Sequence, residues 1–182
     1  MTTNEAPTYP IDRVLGRIAT RPDALARLRR DVGRPLEESP GSWPYVMEAA
    51  GGRRAWELPA HVTLGLFALH QQSQQPGSMN VAEWGLGRAC GSLRQQRFRR
   101  GLSEDGVDRR FRAALAADSL VALSVHLRGL VTLLRGDGIG LGYRKLFFDL
   151  AAWESPSKRD RVALTWARSY FNTFSDDQEE HS

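Results

Sequence analysis

The chain has 182 residues, 41% hydrophobic and 25% charged, which is an ordinary globular composition with enough length for one or two small domains. No apolar run approaches the roughly 18 residues that span a bilayer, the opening Met1-Thr2-Thr3-Asn4-Glu5 is not a secretory signal, and a lone Cys90 excludes an internal disulfide. The net charge is +4, but Ser175 to Ser182 hold Asp176, Asp177, Glu179 and Glu180, so the rest of the chain carries +8.

Nearly every periodic stretch steps like a helix. Residues 9–18 and 22–32 form two short candidates, with Pro10 and Pro22 in first-turn positions and Leu25 and Leu28 on an apolar face. Arg34 to Trp43, with Pro35, Pro40 and Gly41, reads as a connector. A short helix over Pro44 to Ala50 stops at Gly51-Gly52, and Pro59 starts another that carries Val62, Leu66 and Leu69; Gln71 to Gly77 is a polar loop. Asn80 followed by Glu83 has the spacing of a capping box. It predicts a helix from Val81 to about Arg100, on which Ala82, Leu86, Ala89 and Leu93 form one stripe. Gly85 and Gly87 inside that stripe each cost about 1 kcal/mol against Ala, which points to a close backbone neighbour.

After a break at 101–106, Val107, Phe111, Ala114 and Leu115 mark a further helix. Ser119 caps a strongly apolar one that runs through Leu120, Leu123, Leu127, Leu130, Val131 and Leu134 to Gly136, broad enough in its apolar face for the centre of a bundle. Tyr143, Leu146, Phe147, Leu150 and Trp153 are again helical in step, and Ser155-Pro156 opens a last helix with Val162, Trp166 and Tyr170. No alternating Val/Ile-rich run of strand length occurs. The expected fold is all-α, a bundle of about eight or nine helices, read either as one continuous bundle or as an N-terminal group over 1–100 and a C-terminal four-helix bundle over 107–174, with an acidic, disordered tail at 175–182.

Catalysis needs a nucleophile, an acid or base and a stabiliser of developing charge within reach of one another, and no such signature is present. His61, His70 and His126 stand apart from carboxylates, and the four scattered histidines with one cysteine make no zinc pattern, so neither enzyme activity nor a cofactor or metal is expected. Gly136 to Gly142 is glycine-rich but follows a helix and lacks the closing Lys-Ser/Thr of a phosphate-cradling loop, so it reads as a helix-to-helix turn. Trp153 and Trp166 fall on apolar helical faces and read as core.

What remains is arginine. Of the 25 basic residues 23 are Arg, a bias that suits planar, bidentate phosphate recognition and that a GC-rich genome would also produce. Between Arg88 and Arg112 eight Arg face three acids, and on a helical wheel Arg88, Gln95 and Arg99 lie opposite the Leu86/Leu93 stripe. The candidate nucleic-acid-binding residues are Arg29, Arg30, Arg88, Arg94, Arg99, Arg100, Arg109, Arg110 and Arg112, with Arg27 and Arg34 joining Arg29 and Arg30 in a second strip. Without base-reading or stacking signatures, this pattern favours contact with the backbone of nucleic acid over sequence recognition; a merely solubilising surface is the plain alternative.

Several segments together resemble one family: Ala24 to Arg30 with Gly33-Arg34, Leu86-Gly87-Arg88-Ala89, Arg109-Arg110-Phe111, His126-Leu127 with Leu130-Val131 and Leu133-Leu134-Arg135, Gly138-Ile139 with Tyr143, Asp149-Leu150 with Trp153, and Trp166-Ala167-Arg168 with Tyr170. In order and spacing, over about Pro22 to Phe171, they resemble the CasB family, the small subunit of the type I-E CRISPR surveillance complex Cascade. The resemblance implies an all-helical protein without activity of its own. Its expected partners are the backbone and large subunits of the complex, a second copy of itself, the target and displaced DNA strands, and guide RNA, with no membrane. Carried onto this chain, the best-matched basic positions are Arg88 and Arg109-Arg110, then Arg29-Arg30. The competing expectation is a stand-alone helical DNA-binding regulator or adaptor, which would need a helix-turn-helix reader that the spacing does not supply.

Overall fold

Among the described residues proline takes the first or second position of four helices, where its missing N–H costs nothing and its fixed φ suits the helix. The computed structural model describes residues 8–173. Its helices are α1 (Pro10–Ile18), α2 (Pro22–Arg30), α3 (Trp43–Ala50), α4 (Glu57–His70), α5 (Leu86–Arg99), α6 (Asp105–Leu115), α7 (Leu120–Gly136), α8 (Tyr143–Trp153) and α9 (Pro156–Asn172). Short 3-10 turns at Leu36–Glu38 and Arg54–Trp56 precede α3 and α4. Among the described residues no strand forms, and the β-type pairing is an isolated bridge between Asn80 and Leu141. The fold is an all-α bundle, as expected; the acidic segment at 175–182 lies outside the described residues. No helix among those residues is long and apolar enough to cross a membrane.

Two local expectations are corrected. The helix predicted to begin after Asn80 starts at Leu86, with Gly85 as its N-cap. Asn80 instead reaches across the chain, and its Oδ1 accepts the backbone N–H of Tyr143 at 3.1 Å, one of the orphan donors in the first turn of α8. Residues 79–84 are held beside 139–142 by backbone bonds: Leu141 N–H to Met79 O (3.0 Å), Val81 N–H to Leu141 O (3.2 Å) and Gly142 N–H to Trp84 O (2.7 Å). This pairing overrides the capping-box spacing. It also explains the glycine-rich turn, because a Cβ on Gly140 would meet Val81 at 2.3 Å, and one on Gly142 would meet three carbonyl oxygens at about 3 Å.

The centre of the bundle is α4 rather than α7. Pro59, Ala60, His61, Thr63, Leu64, Gly65, Leu66, Phe67, Ala68 and His70 are all buried, which covers every side of the helix, and α4 packs on α2, α3, α7 and α8. Helix α7 keeps one side open: Val121 and Val125 are 65% and 63% exposed. Residues 100–104 connect α5 to α6, a break that ends two residues before the predicted one, and α5 packs on α9, α6 and α7, so by contact it groups with the helices that follow. Residues of both halves, from Ile11 to Tyr170, belong to one hydrophobic cluster.

Candidate nucleic-acid interface

Glycine brings α5 against α9. A Cβ on Gly87 would stand 2.1 Å from the Trp166 carbonyl oxygen, and one on Gly91 would stand 2.8 Å from the Tyr170 carbonyl oxygen and 2.6 Å from Thr173 Oγ1. The close neighbour inferred from Gly87 is therefore the backbone of α9, with Gly91 a second contact point that the sequence reading did not single out. Leu86, Ala89, Cys90 and Leu93 fill the inner side, and Arg88 and Arg99 are left on the outer one. These two exposed arginines stand about 16 Å apart along the helix, and Gln95, the third member of the predicted strip, is half-buried between them.

The structure sorts the candidate arginines into two kinds. Arg94 turns inward, its Nε 2.9 Å from Asp108 Oδ1, beside the Tyr170 hydroxyl that donates to the same carboxylate. Arg100 and the neighbouring Arg97 converge on Asp137, at 2.9 and 3.1 Å, and that carboxylate is only 8% exposed. Arg110 lies along α7, where its side chain occupies the space above Gly129, and its guanidinium donates to the Gly106 carbonyl at 3.1 Å. These residues lock α5, α6 and the end of α7 together.

Arg88, Arg99, Arg109 and Arg112 are exposed, as is Arg100 despite its ion pair with Asp137. The Arg88 guanidinium rests over the Trp84 ring, 4.8 Å from its centroid, a contact that steadies the group without neutralising it. Arg109 and Arg112 point away from the Val107/Phe111/Ala114 side of α6. Arg29 is half-buried and Arg30 exposed at the last turn of α2. Arg27, Arg30 and Arg34 share an open groove of about 480 Å³ with Asp31 and Glu38, so this second strip is of mixed charge. Sequence reasoning missed Arg128, whose side chain lies over Gly33 (φ +80°) and adds a cation beside Arg34 from the exposed side of α7. Its position on the helical wheel opposite Leu127/Leu130/Leu134 carried that signal.

His61 and His70 are structural. His61 is buried with Nδ1 3.3 Å from Ser42 Oγ and Nε2 3.0 Å from the Arg34 carbonyl. His70 is fully buried against the Tyr143 hydroxyl (2.8 Å), and burial lowers its pKa to about 4, so it is neutral at pH 7. Asp149 has its pKa raised to about 6 by burial, partly offset by the Trp166 indole N–H that it accepts at 2.8 Å. Burial also raises the Cys90 thiol, which keeps it protonated and inert. Trp153 and Trp166 stack in the core with ring centres 5.1 Å apart, as their helical faces predicted. Among the described residues no group of three or more His, Cys, Asp or Glu could hold a metal ion.

The model of the CRISPR-associated protein Cse2 family matches residues 24–171. No curated protein sequence matches the chain. Among solved structures it is similar to CasB from Thermobifida fusca, at 27% identity and a TM-score of 0.66 over 90% of this chain and 99% of that one. It is similar also to a Cse2-family protein from Thermus thermophilus, at 26% identity and 0.69 over 91% and 99%. A chain of a CRISPR RNA-guided surveillance complex aligns at 26% identity and 0.72 over 95% of each. With the family model covering most of the sequence, the chain belongs to the Cse2 family of CRISPR-associated proteins.

Proposed function

We propose that this chain is the small, non-catalytic subunit of a type I-E CRISPR surveillance complex, where it grips nucleic-acid backbones and stabilises the R-loop. The observation that carries the reading is the exposed set Arg88, Arg109 and Arg112, which remains after Arg94, Arg97, Arg100 and Arg110 have been taken up within the fold. Likeness to a chain of a surveillance complex over 95% of the sequence supports the setting. Exchange of a DNA duplex for an RNA–DNA hybrid is nearly balanced, so a few phosphate contacts on the target or displaced strand tip it. Planar guanidiniums on a rigid helix supply such contacts without reading bases. The backbone and large subunits, a second copy of this chain and the guide RNA are its proposed neighbours in that assembly.

The test uses the complex purified with its neighbouring subunits and carrying Arg88→Ala, Arg109→Ala and Arg112→Ala together. Guide loading should persist while R-loop formation on matched target weakens and the loss grows with salt. Wild-type R-loop formation across the salt series would refute the assignment, and failure of the chain to co-purify would move these arginines to a subunit interface.

A further inference from the structure

Arg88 stands on the ridge between two open grooves. One, of about 500 Å³, is walled in part by Trp84, Ser92 and Gln95; the other, of about 440 Å³, by Glu83, Lys145, Phe148 and Asp149, and Arg88 lines both. Among the described residues the first groove holds no acid and the second holds two. The guanidinium lies on the Trp84 side, 4.8 Å from the ring centroid, while the cation that acts on the Asp149 carboxyl is Lys145. Helix α5 itself does not favour a cation here: Arg88 is its third residue, where the positive end of the helix dipole suits acids, and its first turn carries none. Trp84 is fixed from outside that helix. Its N–H donates to the Val81 carbonyl at 3.0 Å, its carbonyl accepts the Gly142 N–H at 2.7 Å, and its half-buried ring packs on the core. The pairing of 79–84 with 139–142 therefore sets where the ring stands.

We propose that Trp84 is a positioning residue that holds the Arg88 guanidinium off Asp149 and Glu83 and so keeps it available to phosphate. A carboxylate competes with a phosphate for the same planar fork of donors, and the acids that line the second groove are the near competitors. Asp149 is the stronger of the two. It is largely buried, and an opposite charge brought beside it offsets the desolvation of its ionised form, so an unrestrained Arg88 is drawn to it. Arg94 shows the outcome on the same helix: an arginine that meets a carboxylate, there Asp108, is taken up within the fold. The aromatic face does the opposite, because it attracts the cation without neutralising it. The benefit to phosphate binding rests on the proposed nucleic-acid role of Arg88; the placement of its guanidinium does not.

The test measures binding of single-stranded DNA by the full chain, together with the titration of Asp149 followed by carbon-13 NMR. Trp84→Leu and Trp84→Met remove the ring; Met fills the space with a flexible chain and carries the test if Trp84→Leu unfolds. Each should weaken DNA binding about two- to fivefold, the strength of an exposed cation–π contact, and Trp84→Phe, which keeps a ring, should recover most of that loss. Loss of the ring should also lower the Asp149 pKa from about 6, and adding Arg88→Ala should cancel that change. In a chain that also carries Glu83→Gln and Asp149→Asn, the DNA-binding loss caused by Trp84→Met should shrink to within about 1.5-fold. A larger loss there would overturn the positioning role, and so would an Asp149 titration that removal of the ring leaves unchanged. If Arg88→Ala binds DNA as the parent does while removal of the ring still lowers the Asp149 pKa, the nucleic-acid role of Arg88 fails and its placement by Trp84 stands. If Arg88→Ala weakens DNA binding but Trp84→Met does not, only the positioning role is overturned.

Discussion

Asp149→Asn removes a largely buried charge at the edge of the core and keeps an oxygen to accept the Trp166 indole N–H, which Asp149 now receives at 2.8 Å. Burial raises the Asp149 pKa from 3.8 to about 6. Between those values the folded protein holds a proton that the unfolded chain has released, so this group makes stability fall as pH rises from about 4 to about 6. At about 1.4 kcal/mol per pH unit, ionised Asp149 costs up to about 3 kcal/mol at pH 7. His70 slopes the other way. Its pKa is lowered from 6.5 to about 4, chiefly by burial, so the unfolded chain takes up a proton that the fold refuses and stability falls as pH drops through that window. The two contributions oppose each other over the same range and flatten the parent's profile. Urea unfolding followed by circular dichroism at half-unit steps from pH 4 to 7.5 separates them. Relative to the parent, Asp149→Asn should be more stable by up to about 3 kcal/mol at pH 7, with the difference shrinking towards zero near pH 4. A difference that does not change with pH would show that the folded carboxyl titrates where an exposed one does, and would refute the reasoning.

Gly87→Ala should cost about 3 kcal/mol or more in the same unfolding assay, because its Cβ would meet the Trp166 carbonyl at 2.1 Å and the backbones of α5 and α9 would have to part. Gly85→Ala, with nothing within 4 Å of the new methyl, should stay within about 1 kcal/mol, and equal losses would mean that the α5–α9 approach is looser than described. Trp166→Ala, at a site 2% exposed and stacked on Trp153, should cost about 3 to 5 kcal/mol; a loss below about 1 kcal/mol would place the ring at the surface. For DNA binding by the isolated protein, Arg88→Ala with Arg109→Ala should flatten the slope of log affinity against log salt by roughly 1.4 to 1.8 and weaken all sequences alike. Arg110→Ala, whose side chain packs between α6 and α7, should act mainly on thermal stability instead.

Helix positions were legible wherever local chemistry sufficed. First-turn prolines, the Ser119 cap, whose Oγ accepts the Ala122 N–H at 3.2 Å, and the four-residue recurrence of Val162, Trp166 and Tyr170 all operate within one or two turns, so no distant partner could move them. Asn80 shows the limit. Its side chain had two uses, a local cap or the Tyr143 N–H 63 residues away, and the backbone pairing of 79–84 with 139–142 chose the second. The same holds for the basic cluster: Arg88 and Arg94 sit on one helix with the same chemistry, yet Arg94 meets Asp108 from α6 and Arg88 meets solvent and the ring of Trp84. The sequence by itself determined that the protein is helical, basic in its body and rich in guanidinium groups, because those properties are sums over residues or periods within a helix. Only the tertiary structure decided which arginines are left to bind anything, because an ion pair depends on where α6 and the end of α7 place Asp108 and Asp137, and a helical wheel holds no term for a neighbour.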